Sequence, residues 1–238
     1  MLHRGLNNPL AAVDVIHRLL VRVKRHGLAV QTSNDFNAFL DIRKQLRDDL
    51  VSPMFDPMVG ELSSKGFWIS MSDADGQIEC IQACRLDFVD TSLAEWVVGW
   101  MAGLYLKQEH LMVPEFLEPP MDSRSRSVRG WLVYHGEMWM SRNYRGVDNL
   151  FDNMASLAVL LAYVKWQPEA IWGLVSTELA MRGQGNRMSY PHVERSFLRW
   201  SISVPGVPEN EWLVLSEKQD LEFLVDERFV TGVVLKGD

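Results

Sequence analysis

The sequence has two cysteines in 238 residues, no excess of basic charge and no long apolar run, and each shortage removes a class of protein. Cys80 and Cys84 would share one face of an extended segment two steps apart, a poor arrangement for a disulfide. No metal-ligating residues stand nearby at ligand spacing, so the pair reads as buried free thiols in a reducing cytoplasm. Lys and Arg number 24 against 31 Asp and Glu, a net charge of −7, so nothing attracts nucleic acid or an anionic membrane as a whole. Any anion must be bound locally. The best apolar run, Trp96 to Leu106, is about half of the roughly 20 residues a bilayer span requires. Walker loops, Ser-His-Asp order and metal-ligand spacings are missing as well, and the nine tryptophans lack the basic interleaving of a single-strand nucleic-acid platform.

What is present suffices for one large core. With 47% hydrophobic and 23% charged residues, the chain fits a single domain carrying an insertion. Residues 1–26 predict an amphipathic helix with Leu10, Val13, Ile16, Leu20 and Val23 on the packed face. Residues 27–238 form the domain proper. A short strand at 27–32 leads to a helix over 33–50, capped by Ser33 or Asn34, and a hairpin over 66–88 turns at Asp73 to Gly76. Residues 89–128 interrupt the pattern with an apolar helix, "VPEFLEPPMD" and "SRSRSVR", and are expected to wall a cleft or form a homodimer contact. A strand over 131–141, a helix over 148–166 and a strand over 170–179 follow. After them come the loop "MRGQGNR" and late strands near 197–203, 212–216 and 222–233. The order predicts an α/β (α+β) domain, a mixed central sheet flanked by helices.

The stretch "GEMWMSRNYRGVDNLFDNMASLAVLLAY" carries the most information. Its strand-like half enters Ser141-Arg142-Asn143-Tyr144-Arg145-Gly146, a basic turn that delivers the chain to a helix N-terminus, where anions bind. This stretch resembles the core motif of the GNAT acetyltransferase superfamily, in which an acidic and aromatic fourth strand runs into a "Y-R-G" turn and a long helix. The element order resembles that family over about residues 27 to 200, with the insertion between its third and fourth strands. The resemblance implies an acyl-CoA-dependent N-acyltransferase using acetyl-CoA or another acyl-CoA, with a small-molecule or peptide amine as acceptor. It places the cofactor against Met138, Met140, Arg142, Arg145, Gly146, Val147 and Asn149, the pyrophosphate lying on main-chain amides of the turn. Arg145 and Gly146 match the family pattern, but Asp148 and Leu150 stand where its two defining glycines fall. Glycine lets backbone approach phosphate closely, whereas Asp148 as an N-cap consumes the same amides. Arg142 and Arg145 beside Asp148 and Asp152 read equally as a phosphate site or as a solvated ion-pair patch.

Acyl transfer requires a base for the amine, a donor for the oxyanion and an acid for the thiolate. Strict alternation puts His135 and Glu137 on one strand face with Trp139, where together they form the candidate base. A bulge in this strand would alter that. Tyr190 falls near where the family places a tyrosine acid, though Pro191 disfavours helix there. Arg182, Gly183, Gly185 and Arg187 supply a second phosphate contact or a plain turn. Two other readings stand beside the enzyme: a GNAT-fold ligand-binding or interaction protein with weak or no catalysis, and an acyltransferase of signal-molecule synthesis.

Overall fold

Asp73 to Gly76 makes the tight turn that folds two strands into a hairpin: β2 (Gly66–Ser72) and β3 (Ile78–Val89), antiparallel along their length. Gly76 adopts φ 82°, and the Asp73 carboxylate accepts from the amides of Asp75 and Gln77. Around this hairpin grows one mixed sheet in the computed structural model, which describes residues 6–101, 114–115, 119, 121–200 and 210–234. The remaining strands are β1 (Ala29–Ser33), the two-residue β4 (Pro114–Glu115), β5 (Gly130–Met140), β6 (Ala170–Ser176), β7 (His192–Trp200) and β8 (Asn210–Glu217). Their order is β1-β2-β3-β5-β6-β8-β7-β4, and only β5 and β6 run parallel. That parallel pair, joined across the helix that follows β5, is the arrangement the GNAT resemblance implies.

Helices cover both faces. On one face α1 (Pro9–Lys24), α4 (Leu150–Trp166) and α7 (Lys218–Val234) share an apolar cluster with Ile69, Cys80, Cys84 and Val133. Helix α4 is apolar almost all round, as a helix sandwiched between a sheet and two other helices must be. On the other face α2 (Phe36–Leu46) and the short α3 (Leu93–Trp96) pack over Trp68, Ile81, Tyr134 and Trp172. Both cysteines are buried and free, and burial pushes their thiols up.

Several expectations shift. Helix α1 buries Ala11, Ala12, Val15, Leu19 and Val23, leaving Leu10 80% and Val13 61% exposed. Ala11 and Ala12 share the core cluster with Ala155, Ala158 and Ala162 of α4, and small side chains of this kind permit close helix approach, an advantage that bulk hydrophobicity does not reveal. The cap of α2 is Asp35, which accepts from the amides of Asn37 and Ala38, while Ser33 only supports Asp35. The expected strand over 222–233 is the helix α7. Leu221, Leu224 and Val225 stand at i, i+3 and i+4, Asp220 accepts from the Glu217 amide, and this spacing outweighs the β-branched composition. Strand β6 ends at Ser176, whose hydroxyl accepts from the Leu179 amide and opens α5 (Thr177–Met181), and the expected loop holds α6 (Gln184–Arg187). Of the insertion, α3 lies on the second core cluster and β4 pairs with the edge of β7, whereas most of 102–120 lies outside the described residues.

Candidate functional site

Strands β5 and β6 pair only from Leu132↔Ala170 to Tyr134↔Trp172. At the next step the His135 carbonyl oxygen stands 2.6 Å from where a Cβ on Gly173 would sit, so only glycine allows this approach. Beyond it no pairing joins the two strands, and a cleft of about 630 Å³ opens between them. That volume lies in the range of sites that hold cofactors.

The β5 wall is shaped by a bulge. Register slips between Ile81 and Ala83 of β3, opposite Gly136 to Trp139, and Glu137 takes φ 55°. The extra residue turns Glu137 to the α2 face while His135 remains on the α4 face. The expected shared face is therefore corrected: the two candidate members of one base are on opposite sides of the sheet. After the bulge, the Ser141 amide donates to the Glu79 carbonyl at 2.8 Å, so by alternation the main-chain groups of Met138 and Met140 point away from β3, into the cleft. Arg145 folds back, its Nε donating to the Met140 carbonyl at 2.8 Å.

The turn into α4 is three tight links: Tyr144 amide to Ser141 carbonyl, Val147 to Tyr144, and Leu150 to Val147. Gly146, Asp148 and Asn149 all have positive φ, and no side chain caps the first turn of α4. Asp148 does not consume these amides as expected. Its carboxylate is 78% exposed and swings out to His26 Nε2 at 3.3 Å, the αL backbone at Asp148 and Asn149 having aimed it away from the helix axis. Of the two readings of the turn arginines, the ion-pair patch does not form among the described residues. Asp152 pairs with Arg187 at 2.8 Å, and among the described residues neither Arg142 nor Arg145 meets a carboxylate. Met138, Met140, Arg145 and Gly146 line the cleft; Arg142, Val147 and Asn149 do not. Arg187 also lines it, stacked 5.5 Å over Phe151, while Arg182 is held by Glu178.

His135 and Tyr190 meet, but inside the protein. His135 is 2% and Tyr190 1% exposed, and Nδ1 lies 2.8 Å from the phenol oxygen. The Gln82 side-chain amide donates to the Met154 carbonyl, so its oxygen is the acceptor for His135 Nε2–H at 3.0 Å. The tautomer assigned from this network leaves Nδ1 to accept from Tyr190. Burial lowers the His135 pKa to about 4 and holds the Tyr190 phenol well above its usual value. Both groups are saturated, and Tyr190 lies off the cleft.

The far wall of the cleft was not anticipated. Arg43, fully buried on the Phe36–Phe39 stripe of α2, donates Nε to Glu137 Oε2 at 2.7 Å and pairs with Asp49 at 2.9 Å. Its other nitrogens donate to the carbonyls of Arg47, Asp49 and Leu50. Glu137 Oε1 accepts from the Ser52 amide at 2.7 Å, and Arg47 pairs with Asp49. Glu137 thus ties segment 47–52 over the cleft. The legible signal was an arginine in phase with two phenylalanines.

Among the described residues, no cluster of three or more His, Cys, Asp or Glu is placed to hold a metal, and no helix is long and apolar enough to cross a membrane. No protein-family model and no curated protein matches the chain. Among solved structures, Arabidopsis thaliana NAA60 in complex with acetyl-CoA is similar at 12% identity and a TM-score of 0.44, over 80% of this chain and 98% of that one. Spermidine/spermine N-acetyltransferase SpeG from Vibrio cholerae, in complex with manganese ions, is similar at 8% identity and a TM-score of 0.44, over 84% and 96%. At such values the likeness says nothing of this chain's chemistry.

Proposed function

We propose that the chain is an acyl-CoA-dependent N-acyltransferase, and the observation that carries this reading is the splayed β5/β6 cleft ending at an uncapped helix and at Arg145, which meets no carboxylate among the described residues. The residues present fit the co-substrate. Outward-facing main-chain groups of Met138 and Met140 suit an amide-bearing arm, and the amides around Gly146 with the dipole of α4 suit a pyrophosphate. Arg145, already anchored through Nε, has its remaining guanidinium donors for a charge-assisted bond. When bound, acyl-CoA would supply an activated acyl thioester.

The chain's own residues then position rather than titrate. The Met138 N–H would be a donor for an acyl oxygen of the bound co-substrate, and segment 47–52, held by Glu137 and Arg43, would shape the acceptor side. With both oxygens of Glu137 engaged and His135 a weak buried base, the acceptor amine loses its proton to solvent, and orientation carries the rate. A ligand-binding protein without turnover is the second reading, favoured by the saturation of Glu137, His135 and Tyr190. Calorimetry with CoA, acetyl-CoA and longer acyl-CoAs, followed by a thiol-release assay over small amines and peptides, separates the two. Binding with turnover supports the enzyme, binding without turnover supports the second reading, and no binding removes both.

A further inference from the structure

On the other side of the same turn, the last turn of α1 and the first turn of α4 flank a second, open cavity of about 460 Å³. Arg22, Arg25, His26, Asp148, Asn149 and Asn153 line it. Asn153 is the informative member. It is 4% exposed, yet among the described residues its side-chain amide has no hydrogen-bond partner. Its polar atoms are open to the cavity rather than sealed off, so a ligand oxygen can meet the amide there.

The electrostatics favour an anion. Arg22 and Arg25 make no ion pair among the described residues, and the 17-residue helix α4 presents an uncapped N-terminus to the same space. Both arginines also oppose the negative end of α1, which accounts for their presence but not for Asn153. Asp148 counts against an anion, though His26 at 3.3 Å draws its carboxylate aside.

Position completes the argument. Arg145 and Gly146 line the first cavity while Asp148 and Asn149, two and three residues past Gly146, line the second. A ligand with a diphosphate and a separate phosphate on one ribose can span the turn between them. We infer that the second cavity takes the 3′-phosphate of coenzyme A, with Arg22, Arg25 and the Asn153 amide as its donors. The inference rests on the acyl-CoA reading and deepens it: this chain distinguishes CoA from dephospho-CoA.

Calorimetry on the full chain with CoA, dephospho-CoA and inorganic phosphate tests it. The wild type should bind CoA about tenfold more tightly than dephospho-CoA, the worth of roughly one charge-assisted contact. Arg22→Gln with Arg25→Gln should bring that ratio to about twofold or less while leaving dephospho-CoA affinity unchanged, both side chains being exposed. Asp148→Asn should raise the ratio, because it removes the carboxylate that lines the cavity. Equal wild-type affinities, or a ratio the arginine pair does not alter, would overturn the inference while the acyl-CoA reading stands. Inorganic phosphate bound through the two arginines, with CoA and dephospho-CoA equal, would show a free-anion site and overturn it too. Failure of CoA and dephospho-CoA alike to bind would instead sink the acyl-CoA reading beneath it.

Discussion

Replacing Glu137 by Gln separates a tether from a base, because the two roles fail in different observables. The substitution keeps shape and leaves an oxygen to accept from the Ser52 amide. It turns an NH₂ group toward Arg43 Nε, where the carboxylate now sits at 2.7 Å. Breaking a buried ion pair costs roughly 3 to 5 kcal/mol when the surviving charge has nothing else. Here Arg43 keeps Asp49 at 2.9 Å and three carbonyls, so about 2 to 3 kcal/mol is expected. For a chain of this length each kcal/mol moves Tm by about 2 to 4 °C, so a fall of roughly 5 to 10 °C should appear by scanning calorimetry. Acceptor KM should rise more than kcat falls, and CoA affinity should hold within about threefold, since neither Met138 nor Arg145 is touched. Arg43→Met, which takes the donor away from Asp49 and three carbonyls as well as from Glu137, should cost more than Glu137→Gln in the same scans. An unchanged Tm together with a roughly 100-fold fall in kcat and a lost alkaline limb would refute the tether and restore Glu137 as the base.

Other outcomes are equally specific. His135 is neutral when folded, its pKa lowered to about 4 by burial against about 6.5 in the unfolded chain, so between those values the unfolded state binds more protons. Stability is full above pH 6.5 and falls by about 3 kcal/mol as pH drops to 4; urea titrations should show this slope, and His135→Gln should flatten it. Tyr190→Phe strands the buried His135 Nδ1 and should cost about 1 to 3 kcal/mol in the same titrations, with turnover of the folded enzyme unchanged; a large kcat loss would make Tyr190 the acid after all. Arg145→Ala should weaken CoA by about 1 to 3 kcal/mol in calorimetry with little effect on melting, and unchanged affinity would remove it from the site. Gly173→Ala drives a methyl against the His135 carbonyl, and a melting loss of about 1 to 3 kcal/mol is expected; a neutral result would mean the strands part there without strain.

The sheet was legible where periodicity is local. The hairpin at 66–88 announced itself by alternation and an Asp-Gly turn, and the β5-α4-β6 unit by a strand running into an apolar helix. Residues 222–233 were not, because Val and Phe favour strands while the neighbours that bury Leu221 and Val225 sit on α1 and α4, far away in sequence. The site divided in the same way. Arg145 and Gly146 could be read from the turn they occupy. One inserted residue at Glu137 moved a side chain to the opposite face, and a bulge depends on how β3 and β5 mesh rather than on either strand alone. The role of Arg43 was concealed for a similar reason: its partner lies 94 residues away.

The strand order has a consequence for how the cleft comes into being during synthesis. Strand β6 is paired at seven positions with β8 and at three with β5, so one wall of the cleft is held chiefly by a strand that arrives some forty residues later. While residues 177–209 are being added, β6 presents an open edge and β7 has no inner neighbour, a pairing that local contacts cannot substitute. At about 5 to 20 residues per second that interval lasts a few seconds, long enough for the edge to be met by another chain or a chaperone. Ligand entering at that stage would find the α4 turn already formed but only half a binding groove, and could hasten closure only after Glu217 has emerged.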